Sequence, residues 1–118
     1  MPNRSEDMTP ITPDAINSYV RLIVKRFNPQ TVLLFGSQAA GTSDGESDVD
    51  LLVIMDHDKP RNVDQEIEID CALPRVFPLD ILVRRPSDVK RRLAANDMVL
   101  KGLLKTGKPL YARTRCHT

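Results

Sequence analysis

Ile16, Tyr19, Val20, Ile23 and Phe27 recur at helical spacing and form one apolar face. Thr12 is placed to cap this first helix, Pro13 suits its first position, and Asp14 faces the positive end of its dipole. Asn28-Pro29 ends it. The pattern then changes period. Thr31 to Phe35 reads TVLLF, a short apolar run of β-formers that predicts a buried strand. Residues 36 to 47 are rich in Gly, Ser, Thr and Ala, which predicts a loop, or a short helix from Ser37 to Gly41 followed by one. Residues 48 to 55, DVDLLVIM, predict a second strand that opens on two carboxylates.

A polar turn containing Pro60 follows. Val63, Ile67 and Cys71 then recur every four residues, with acids between them. That spacing predicts an amphipathic helix from 63 to about 73, ended by Pro74, with Cys71 buried as a small apolar residue. Residues 77 to 83, FPLDILV, predict a third strand with one acid in its middle. A helix is expected over 86 to 96, a shorter one from Asp97 to about Lys105 closed by Gly107, and a last extended piece over 109 to 112. The order predicts an α/β (α+β) domain: a small mixed sheet flanked by helices. No GxGxxG follows the first strand, so a dinucleotide fold is not indicated. Residues 1–11 read as a loose arm, 12–113 as a single domain and 114–118 as a loose tail.

Composition narrows the classes. The chain is 41% hydrophobic and 28% charged, as expected of a globular domain. Aromatics make up 4%, without Trp, which argues against a platform for stacked bases. A net charge of +1 is too small to indicate a nucleic-acid or membrane surface. The local run of Arg84, Arg85, Lys90, Arg91 and Arg92 reads as a solvated helix face. Cys71 and Cys116 lie far apart, outside any metal spacing, and no leader or membrane-spanning run appears. A reduced, cytoplasmic setting is expected.

The chemistry gathers at three places. Asp48 and Asp50 sit two apart at a strand start, so they share a face about 6–7 Å apart. Two carboxylates that close repel unless a cation lies between them, and hard oxygen ligands suit Mg²⁺. A bare DxD is more often two solvent-facing acids. Asp80, flanked by Leu79, Ile81 and Leu82, is harder to explain that way. An unpartnered carboxylate inside an apolar strand is costly, so it faces solvent on an edge strand or meets a cation. Beside the second strand, it would complete a three-carboxylate platform for two metal ions. Gly36 permits a sharp turn and close approach of a ligand, and Ser37 at a helix start could bond a phosphate.

Taken together, GSQAAGTSDGESDVDLLV and PLDILV resemble the DNA polymerase β-like nucleotidyltransferase superfamily. They look most like its minimal nucleotidyltransferase branch, whose pattern is GSxAxG…SDxDLLV followed by an acid in an apolar strand. The closing GLLKTGKPLY also looks like that branch's final helix and GxxLY tail, so the likeness runs from about residue 12 to 112. The resemblance implies that Gly36 and Ser37 hold a triphosphate. Asp48 and Asp50 would bind two Mg²⁺ ions bridging the NTP, and Asp80 would complete a metal site and help activate the acceptor hydroxyl. Relatives often carry arginine in the Gly-Ser loop, where this chain has Gln38 and Ala40 beside Asp44 and Glu46. Extra positive charge would have to come from elsewhere, with Arg84 or Arg85 as candidates.

The stretch after Asp80 is too short for an added acceptor domain, so the acceptor is expected on another molecule or on a second copy of this chain. Minimal members of this kind resemble the antitoxin of a toxin–antitoxin pair, which moves AMP from ATP onto a tyrosine of a HEPN-domain RNase. That is the leading expectation. A binding subunit that neutralises its partner by complex formation, without catalysis, is the second. A small-molecule nucleotidyltransferase acting on an aminoglycoside-like acceptor is the third.

Overall fold

The computed structural model describes residues 12–36, 49–73 and 77–113. Helix α1 (Pro13–Phe27) starts where the cap residues place it: the Thr12 hydroxyl accepts from the Ala15 N–H at 3.1 Å. It ends at Asn28, which takes the left-handed conformation and donates its N–H to the Val24 carbonyl. Strands β1 (Thr31–Phe35) and β2 (Val49–Ile54) pair antiparallel. Helix α2 (Asn62–Ala72) carries the chain across to β3 (Leu79–Arg84), which pairs parallel with β2. Such a parallel connection needs a crossover, and α2 supplies it. Helices α3 (Pro86–Ala94) and α4 (Met98–Thr106) follow, and β4 (Lys108–Ala112) returns to pair antiparallel with β1. The order across the sheet is β3-β2-β1-β4. This is the mixed sheet flanked by helices that the order of elements predicts.

Both faces of the sheet are covered, which is why β1 and β2 read as continuous apolar runs rather than alternating ones. On one face Val32, Leu34, Val49, Leu51, Val53 and Val83 pack against Ile16, Tyr19, Val20 and Ile23 of α1 and Ile69 of α2. On the other, Leu33, Leu52 and Ile54 meet Leu100 of α4, with Leu82, Val89, Leu93 and Leu104 half-buried around them. Pro109 sits at an irregularity in the β1–β4 register, on an edge strand, where proline is tolerated.

One sequence expectation is overturned. The stripe of Val63, Ile67 and Cys71 does not face the core: Val63 is 42% and Ile67 55% exposed, and Cys71 is exposed as well. The buried positions of α2 are Gln65, 3% exposed, and Ile69, 0%. The reason lies in the polar face that docks instead. Glu66 accepts the Val83 N–H of the edge strand at 2.8 Å and stands 3.6 Å from the Arg84 guanidinium. Asn62 bonds His57 at 2.8 Å and Asp88 at 3.2 Å. Satisfying an unpaired strand edge and a loop outweighs burying two apolar side chains.

Candidate active site

The start of β2 is held in place by the Val49 N–H, which donates to the Pro78 carbonyl at 3.0 Å. That bond fixes the parallel register, and the register pairs Asp50 with Asp80. Partners on adjacent strands lie about 4.8 Å apart and point to the same face of the sheet. Here it is the α3–α4 face, since Asp50 shares its parity with Leu52 and Ile54, and Asp80 with Leu82. The helices cover that face over the later residues of both strands and leave the acids accessible. Asp50 is half-buried and Asp80 is exposed.

On its other side Asp50 is paired with Phe35, and Gly36 follows directly. Gly36 has φ +80°, a left-handed conformation that glycine adopts without strain. A Cβ at this position would fall 2.5 Å from Asp50 Oδ2. The turn therefore favours glycine, and an added side chain would make the Asp50 carboxylate shift. Gly36, Asp50 and Asp80 stand in a row at one end of three neighbouring strands, β1, β2 and β3. Ser37 and Asp48, the other two residues singled out in the sequence, lie outside the described residues.

This arrangement fits a hard divalent cation. Two carboxylates sit side by side, both reachable from solvent, and no basic side chain of the described residues pairs with Asp80. Such a pair offers the oxygen donors that suit Mg²⁺. Among the described residues no group of three His, Cys, Asp or Glu converges on one point, and Asp48 is not among them.

Arg84 and Arg85 do not supply charge to this end of the sheet. Arg84 is paired with Ile54, four residues along from the Asp50–Asp80 pair and about 13 Å away by strand rise. Its guanidinium serves Glu66 and the Val83 carbonyl. The Arg85 guanidinium donates to the carbonyls of His57 and Lys59 and holds the loop after β2. Lys90, Arg91 and Arg92 are exposed on α3, with Arg91 paired to Asp88 at 2.8 Å and Arg92 to Asp97 at 3.4 Å. The roles of Glu66 and Asn62 escaped sequence analysis because neither interrupts a pattern. A Glu in an acidic helix carries no sign that it will meet a strand edge.

Among the described residues, no helix is long and apolar enough to cross a membrane. No curated protein matches the chain. Solved structures do. A protein from Sulfolobus solfataricus assigned as a nucleotidyltransferase aligns with TM-score 0.53 and 24% identity, over 66% of this chain and 70% of its own. A toxin–antitoxin complex with AMP-PNP aligns with TM-score 0.52 and 20% identity, over 83% and 74%. A mutant of the toxin–antitoxin pair MntA-HpeT gives 0.50 and 20%, over 88% and 76%. These likenesses concern the fold. The family model described as "Polymerase beta, Nucleotidyltransferase" matches residues 17–115, most of the chain, and the protein therefore belongs to the polymerase β nucleotidyltransferase family.

Proposed function

We propose that the protein is a Mg²⁺-dependent nucleotidyltransferase that moves AMP from ATP onto a hydroxyl of a partner protein, a HEPN-type RNase toxin, and so acts as its antitoxin. The observation that carries this is the in-register pairing of Asp50 with Asp80 beside the left-handed turn at Gly36. The toxin–antitoxin complexes that share the fold, one of them with AMP-PNP, support the choice of partner class and nucleotide.

In this reading Asp48, Asp50 and Asp80 hold two Mg²⁺ ions, and Gly36 and Ser37 receive the triphosphate. The metal, when bound, supplies positive charge against the phosphate oxygens. The chain's own residues do the rest. Gly36 lets the backbone approach the phosphates without a side chain in the way. Asp80, exposed at the outer strand, accepts a hydrogen bond from the acceptor hydroxyl and orients it. The hydroxyl oxygen then bonds to the α-phosphorus, the bond to pyrophosphate breaks, and the hydroxyl proton passes through the carboxylate to water. Positioning accounts for much of the acceleration in such a transfer.

The test is intact-mass analysis of a HEPN partner incubated with the protein, ATP and Mg²⁺. The partner is expected to gain one AMP, and chelation of Mg²⁺ to abolish the gain. Asp50→Ala and Asp80→Ala are each expected to slow transfer on the order of 10²–10³-fold. An unmodified partner under these conditions overturns the proposal. A second reading, neutralisation by binding alone, draws on the position of Arg84 and Arg85 far from the acids. It requires that Asp48→Ala combined with Asp50→Ala still neutralise the partner.

A further inference from the structure

Helix α1 packs on the face of the sheet opposite Asp50 and Asp80, and a cleft runs between it and the terminal strand β4. The helix wall follows from spacing. Ile16, Tyr19 and Ile23 are buried in the core, so Asn17, Arg21 and Lys25, each one turn from the next, line the cleft along the flank. A register irregularity shapes the strand wall. Leu33 is paired with Pro109 and Val32 with Tyr111, which leaves Leu110 as an extra residue. Such a bulge bends the strand and re-aims its side chains, and here Leu110 and Tyr111 both turn to the α1 side. With Val20 and Val24 they make an apolar floor.

The charge around this floor has one sign. Arg21 and Lys25 stand on the helix wall, and among the described residues no acid lines the cleft. It continues past Asn17 and Leu110 toward the start of α1, where Lys108 is the charged lining residue. Among the described residues Arg21, Lys25 and Lys108 form no ion pair. Residues 13–28 and 108–113 together hold five cations and one acid, Asp14, on a chain whose formal net charge is +1. The positive charge is therefore concentrated on this flank.

An acidic segment suits the combination. Its carboxylates would meet Arg21 and Lys25, and its apolar side chains would cover Val24, Leu110 and Tyr111. A single aromatic ring on the floor is too little for a run of stacked bases. A second copy of the chain has few acids to offer, since on α2 Asp64 is paired with Arg61, Glu66 with Arg84 and Glu68 with Lys59.

We propose that the α1–β4 cleft is a docking surface for an acidic segment of a partner protein, anchored by apolar side chains. The surface lies on the other face of the sheet from the candidate active site. It stands apart from the transferase reading, and holds or fails whether or not AMP is moved.

Two fluorescein-labelled peptides of equal length test this, each with leucines at the same positions. One carries Glu at the remaining positions, and the other Lys. Fluorescence anisotropy is measured on the full chain without nucleotide. The acidic peptide is expected to bind about tenfold or more tightly than the basic one. Arg21→Glu and Lys25→Glu are each expected to weaken it about tenfold, and Lys90→Glu, the same charge change on the exposed face of α3, to leave it unchanged. Exchanging the peptide's leucines for serines is expected to weaken binding as well. Thermal melts of the variants confirm the fold. Equal binding of the two peptides, binding of neither, a loss as large with Lys90→Glu as with Arg21→Glu, or indifference to the leucines overturns the proposal. Tighter binding of oligothymidylate than of the acidic peptide overturns it in favour of nucleic acid. A wild-type dimer in sedimentation that Arg21→Glu dissociates overturns it in favour of a second copy.

Discussion

At the scale of single residues, two positions stand out in the candidate site, Gly36 and Asp80. Gly36 adopts a backbone conformation that costs an L side chain about 1–2 kcal/mol, and its Cβ would press on the Asp50 carboxylate. Gly36→Ala is therefore expected to lower the thermal midpoint and also to impair nucleotide binding, because relief of the clash displaces Asp50. Calorimetric melting and ATP titration of the variant check the two effects separately. Asp80 was legible as anomalous from the sequence alone, since a carboxylate between leucine and isoleucine needs a reason. Its partner was not legible. Alternation puts Asp48 and Asp50 on one face, but which residue of a later strand lies opposite Asp50 is set by a parallel register that local pattern does not encode.

At the scale of elements, caps and breakers are read well from sequence because they act within a few residues. Thr12, Asn28 and Gly107 stand where the first and last helices begin or end. The α2 face was misread because its decisive contacts are polar and distant: Glu66 with Val83, and Asn62 with Asp88. Helix α3 starts on a similar arrangement. Asp88 at its third position accepts from the Arg85 N–H at 3.3 Å, half of a capping box whose other half an arginine, lacking an acceptor, leaves unmade. The Asn62 amide first, then the Arg85 N–H and the Arg91 guanidinium, hold the Asp88 carboxyl below its ordinary value of 3.8, against the opposing effect of burial. A carboxyl depressed in the folded state stabilises it above that ordinary value, and the benefit fades as pH falls through the lower, folded value. Asp88→Asn is thus expected to cost about 1 kcal/mol at neutral pH and progressively less below pH ~4. Urea unfolding of both proteins across pH 2 to 7 measures the convergence.

At the scale of the whole molecule, the two faces of the sheet are not equal. Among the described residues, the α1–α2 face holds fifteen buried residues in one cluster, whereas the α3–α4 face holds four. Ile23, 0% exposed in the larger cluster, is expected to lose about 2–5 kcal/mol on replacement by alanine. Leu93→Ala, at a half-buried position over the smaller cluster, is expected to lose less, and the urea midpoints of the two variants rank them. The thin face is the one that carries the acids. Leaving it partly uncovered is what keeps Asp50 and Asp80 accessible to solvent.

The two acids belong to segments that the chain joins only through α2, so their pairing arises from contacts distant along the sequence. Such contacts are slow to close during folding. A chain emerging half-formed would own the glycine turn and Asp50 without Asp80 beside it. The carboxylate pair and the completed sheet therefore arrive together.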